Sequence, residues 1–248
     1  MAEILEDGDI YFLYRPRVSE DQVESLDDVQ RLLIVLHPWR EQRLRLIVVG
    51  AKRLPAVTGH ERAWCFVDKV VSRPDELREA LEQRRYRTKT RGERVQPPAR
   101  PAGEGAYVIA RHDGHTHLAY ELELPRQPGE VQRELNIERE ASYVVTVKNP
   151  RLPPLPGTGR RGRGEPALPR ELLDRFGTRR FIPLDPPDFL DHPGTELVLI
   201  GAAEDASEEL GVDLDAEVER AARRTVFDDL RISRRNRPVE PLFAGRWL

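Results

Sequence analysis

Three histidines crowd one short stretch of the chain, His112, His115 and His117. The Asp113-Gly114 dipeptide between the first two is a type I′ turn signal joining two extended segments. A two-residue turn pairs His112 with His115, Ala110 with His117, Ile109 with Leu118 and Tyr107 with Tyr120. Side chains alternate along a strand, so the three imidazoles share one face, opposite Tyr107, Ile109, Leu118, Tyr120 and Leu122. Directly opposed Cβ atoms in such a pair stand about 5 Å apart. Converging imidazoles can hold a divalent metal such as Zn²⁺, leaving a coordination position for water or substrate. Glu121 lies on the same face and extends the donor set if the strand curves. The competing reading is a solvated hairpin tip, since metal ligands need a supporting shell.

A second chemistry resides in Arg160, Arg161 and Arg163, interleaved with glycine between Gly159 and Gly164. Guanidinium groups on a glycine-rich backbone can contact phosphates and stack on bases, as RGG-type segments do. This segment is short and lacks an aromatic, so a solvated linker is the simpler reading. Arg85, Arg87, Arg91 and Arg94 form another basic stretch, and their gathering into one patch with the linker arginines would strengthen an RNA-binding reading. Cys65, the only cysteine, sits between Trp64 and Phe66 in a strand-like run and reads as a buried hydrophobe. Paired carboxylates such as Asp27-Asp28 and Asp228-Asp229 are adjacent in sequence and define no acid–base pair. Phosphate-loop, dinucleotide-binding, serine-hydrolase and zinc-protease motifs are absent from the sequence.

The elements that would position these residues are mostly short and punctuated. Ile10–Arg15, Leu32–Leu36, Leu44–Val49 and Ala63–Val71 are apolar runs ended by Pro16, His37-Pro38, Gly50 and Ser72, which are strand signals. The continuous runs imply strands covered on both faces. Ser72, Pro74, Asp75 and Glu76 open a helix whose stripe is Leu77, Ala80 and Leu81 and which Arg84 and Arg85 close. Arg87 to Gly105 is polar and proline-punctuated and reads as a connecting loop. The hairpin Ala106–Leu124 and a strand at Ser142–Lys148 follow. Arg151 to Pro169 reads as a linker. Beyond it come a helix at Pro169–Phe176 stopped by Gly177, strands at Arg179–Ile182 and Glu196–Ile200, and a helix near Asp215–Asp229.

Composition bounds the rest. The chain has 248 residues, with 40 basic against 43 acidic side chains, so no strong global field steers a ligand and any nucleic-acid contact must come from a local patch. Only Lys52, Lys69, Lys89 and Lys148 are lysines; the arginine excess is spread along the chain. A single cysteine suits a reducing compartment, the first residues show no signal-peptide pattern, and no apolar run reaches the roughly 20 residues of a membrane helix. The expectation is a cytoplasmic α+β fold with a mainly antiparallel or mixed β-sheet core and a few short helices. Its expected organisation is a β-rich domain over 1–154, a Pro/Gly/Arg-rich linker over 155–168, and a segment 169–248 that completes the core or forms a second lobe. Three functional classes stay open: a non-enzymatic binding or interaction protein, with a protein partner or a second copy; a metal-dependent hydrolase using the three histidines; and an RNA-associated protein using the Arg/Gly segment.

Overall fold

Long strands, not a sheet-and-helix layering, organise the chain in the computed structural model, which describes residues 2–90, 92–153, 164–203 and 239–247. The apolar runs become β1 (Glu3–Pro16), β2 (Val29–Pro38), β3 (Leu44–Val49) and β4 (Arg62–Val71), an antiparallel meander. β5 (Arg84–Thr88) and β6 (Gly92–Gln96) form a separate two-stranded sheet. β7 (Arg100–His112) returns to pair with β1, and β8 (His115–Leu124) pairs with β7. β9 (Glu140–Lys148) pairs with β8, β10 (Phe181–Pro183) extends beside β9, and β11 (Glu196–Ala203) lies between β9 and β4.

Excluding β5, β6 and β10, these pairings close an eight-stranded antiparallel barrel. The expected α+β sheet core is therefore wrong: the protein is a mostly-β barrel. Closure removes open sheet edges, which an unclosed sheet would have to protect with helices or charges. The helices are minor: α1 (Pro74–Leu81), α2 (Glu130–Glu134), α3 (Arg170–Phe176) and α4 (Glu240–Ala244). The helix expected near Asp215–Asp229 lies outside the described residues, as do residues 154–163 of the expected linker.

The continuous apolar runs are indeed covered on both faces. Ile10, Phe12, Tyr14, Ile34, Leu36, Ile47, Val49 and Tyr107 fill the lumen. Tyr11, Leu13, Leu33, Val35, Leu46 and Val48 point outward under Leu77 and Leu81 of α1 and Leu242 of α4. Each such fully buried side chain contributes about 1.5–3 kcal/mol.

Two local expectations meet different outcomes. The Asp113-Gly114 turn has φ of 48° and 80°, as a type I′ turn requires, and the register runs through the expected pairs. The stretch Arg87 to Gly105 is not a loop. It holds the turn and second strand of the β5–β6 hairpin and the buried start of β7, where Pro101 stands opposite Leu13 beside a register shift. A proline is tolerated at such a bulge, and a strand exposed on both faces carries no apolar alternation to betray it. Gly105 is obligatory by space: a Cβ there would lie 1.9 Å from the Glu121 carbonyl oxygen. Among the described residues no helix is long and apolar enough to cross a membrane.

Candidate nucleic-acid interface

The three histidines do share the outer face of the β7–β8 hairpin, but their rings do not converge. His117 is buried, and its Nδ1 lies 3.0 Å from Ser142 Oγ on β9. The His112 and His117 rings stand edge to face with centroids 6.1 Å apart, and His112 Nε2 lies 3.7 Å from Asp113. His115 is exposed beside a cleft of about 200 Å³ that also holds Arg111, Arg175 and Arg179. Three guanidinium groups outnumber the one carboxylate of that cleft, Asp185, which is itself paired with Arg111, and this makes the cleft unfavourable for a divalent cation. Among the described residues no group of three or more His, Cys, Asp or Glu side chains has the geometry to hold a metal. Glu121 is turned to Arg139 instead, 3.3 Å from its Nη2. Arg160, Arg161 and Arg163 lie outside the described residues.

Cys65 faces the lumen, and burial pushes its thiol up to about 12, so it carries no nucleophilic thiolate near neutrality. A charged network closes one end of the lumen. Arg45, 1% exposed, donates from Nη1 to both Glu6 carboxylate oxygens, at 2.7 and 2.8 Å, and from Nε to Asp191 Oδ1 at 2.8 Å. Tyr107 donates its hydroxyl to Glu6 at 2.7 Å. Burial pushes the Glu6 carboxyl up, while Arg45 pulls it back. Every polar group there has a protein partner, so the network acts as a plug. On the outer surface, His37 Nδ1 lies 3.3 Å from Asp9 Oδ2, and Trp39 Nε1 donates to Asp9 Oδ1 at 2.7 Å. These residues border an open cleft of about 620 Å³ with no nucleophile among its lining side chains.

The feature with unsatisfied chemistry is the β5–β6 hairpin. Arg84, Arg85, Arg87 and Lys89 are exposed and Arg94 is half-buried. Tyr86, 43% exposed, is one of few large hydrophobic side chains open to solvent. Among the described residues, none of these five cations forms an ion pair within the limits of a salt bridge. The register pairs Arg84 with Gln96, Arg85 with Val95, Tyr86 with Arg94 and Arg87 with Glu93. Alternation then places Arg84, Tyr86, Arg94 and Gln96 on one face and Arg85 and Arg87 on the other.

The base of this ribbon is fixed to the barrel. Ser19 N–H donates to the Val95 carbonyl at 2.7 Å, and Gln96 Nε2 donates to the Pro16 carbonyl at 3.0 Å. Arg15 Nη1 donates to the Pro97 carbonyl at 3.0 Å. Five like charges and an aromatic therefore stand out from an anchored base, although the whole chain has a net charge of −3. The sequence reads Arg85 as the end of a helix and Arg87, Arg91 and Arg94 as loop; the structure gathers Arg85, Arg87 and Arg94 on the ribbon, and Arg91 lies outside the described residues. Charge count over the stretch was the available signal, and the strand pairing that concentrates it was not. No family model, curated protein or solved structure matches the chain.

Proposed function

We propose that this is a non-enzymatic cytoplasmic binding protein whose ligand is nucleic acid, RNA above all, gripped by the β5–β6 ribbon. The observation that carries this reading is the set of five cations, without an ion pair among the described residues, flanking exposed Tyr86 on an anchored hairpin. Five cations against the single carboxylate of Glu93, which stands opposite Arg87, leave the ribbon with an excess of positive charge whose repulsion costs stability, a cost that phosphates would offset. Cationic ribbons with an aromatic are suited to a polyanion whose bases can stack. A buried lone Cys65 fits a reducing compartment.

Fluorescence anisotropy with a labelled 12-nucleotide RNA tests the reading. Each phosphate contact to a single strand contributes about 0.7 to the slope of log K against log salt. Replacing three cations (Arg85→Gln, Arg87→Gln, Arg94→Gln) should reduce the slope by about 2. At 0.1 M salt the same arithmetic predicts a loss of about 100-fold in affinity. Wild-type binding that ignores salt, or a triple variant that binds like wild type, would end the proposal.

A further inference from the structure

A groove of about 330 Å³ opens at the foot of the ribbon. Its floor is the outer face of the barrel, Leu33, Leu46, Val48 and Phe66, with Leu33 paired to Val48 and Val48 to Phe66 across β2, β3 and β4. Its rim carries Gln30 and Arg31 of β2 on one side and Arg84 and Gln96 of the ribbon on the other. Arg84 and Gln96 occupy the same ribbon face as Tyr86 and Arg94, so that face continues directly into the groove. Gln30 and Arg31 are exposed at the opposite lip.

Resting on the nucleic-acid reading above, we infer that the groove is a nucleobase pocket and that the ligand is single-stranded. Its floor is apolar and includes an aromatic, which suits the face of a base but not a phosphate. Its polar lining combines the amides of Gln30 and Gln96, the guanidinium groups of Arg15, Arg31 and Arg84 and one carboxylate, Asp68: amides both donate and accept, as base edges require, and guanidinium groups take phosphates. Charge complementarity identifies the occupant, because Arg15, Arg31 and Arg84 outnumber Asp68 around the groove and favour an anionic chain carrying an uncharged flat group. A base can enter such a recess only when it is splayed from its neighbours, as in loops and single strands, and not when stacked in a duplex. Tyr86, two residues along the strand from Arg84, offers a stacking surface for the neighbouring base.

The test separates this inference from the reading beneath it. A labelled uridine 12-mer is compared with an abasic 12-mer that keeps every phosphate, and with a 12-base-pair duplex. The base-bearing strand should bind about tenfold or more tightly than the abasic one, and more tightly than the duplex at equal salt. Gln30→Trp, at an exposed lip position, should overhang the groove and shrink the preference for bases, while leaving abasic binding unchanged. Tyr86→Ala should retain the part of the preference that Gln30→Trp removes. Equal affinity for the three probes, with a normal salt slope, would overturn the pocket and leave the ribbon reading intact. A preference for bases that Gln30→Trp leaves whole would also overturn it. Failure of every probe to bind with salt dependence would overturn both.

Discussion

Replacing Arg45 by Met tests how one end of the barrel is held. The guanidinium is 1% exposed and neutralises Glu6 and Asp191, whose side chains are 11% and 14% exposed. Met fills a similar length of the lumen but leaves both carboxylates without that cation. Removing one partner from a buried ion pair costs about 3–5 kcal/mol, most of it the burden of the charge left behind. For a chain of this size that corresponds to a fall in Tm of about 6–20 °C. The penalty should depend on pH, with a definite sign. Burial already holds the Glu6 carboxyl above its ordinary value, and Arg45 is the chief group restraining it. A raised carboxyl contributes its full stability below the unfolded-chain value of about 4.3 and loses it as pH rises through the folded value. Without Arg45 that folded value moves further up, so the deficit of the variant should open as pH rises above about 4 and shrink in acid. Urea unfolding followed by tryptophan fluorescence, at pH values from 4 to 8, measures this directly. An unchanged midpoint at neutral pH would refute the account of Arg45 as an indispensable cation. A deficit equal at both ends of the range would show that Glu6 is not where the cost falls.

Two further outcomes follow from the lumen and its seams. Cys65 should resist thiol reagents in the native protein and react at once in denaturant, because its thiol is enclosed and pushed up to about 12. Its share of stability is complete below the unfolded thiol value of about 8.5 and falls as pH rises from there towards 12. A rapid native reaction would mean the lumen admits reagents. Gly105→Ala should cost about 2–3 kcal/mol or more, since the added methyl meets the Glu121 carbonyl and forces β7 and β8 apart. A Tm equal to wild type in calorimetry would contradict that geometry.

The parts of this fold that were legible in the sequence are those governed by neighbours. Asp113-Gly114 selects a turn whose twist dictates every later pair of the β7–β8 hairpin, and Gly177 ends α3 with φ of 52°. Leu32–Leu36 and Leu44–Val49 announced strands buried on both faces, but not that the second face was a lumen. Closure depends on Glu196–Ile200 meeting Arg62–Phe66, a contact across more than a hundred residues that no local period encodes. The candidate interface was hidden for another reason. A ribbon solvated on both faces is polar at nearly every position, with Tyr86 and Val95 the exceptions, so its strands look like loop until the pairing is seen. The three histidines mark the opposite case, where the shared face was foreseen but the Ser142 partner of His117, supplied by β9, was not.

The place of β11 between β4 and β9 governs how the molecule can be assembled and cut. Until residues 196–203 arrive, a nascent chain has two raw sheet margins, each a row of unanswered backbone amides and carbonyls able to recruit another chain. A truncation after β9 would keep seven of the nine strands of the main sheet, but only as an open, adhesive sheet, so recombinant fragments ending there should aggregate whereas breaks in the exposed β5–β6 ribbon should be tolerated. That strand is thus a clasp, and during synthesis the two margins stay exposed to neighbouring chains until residues 196–203 have left the ribosome.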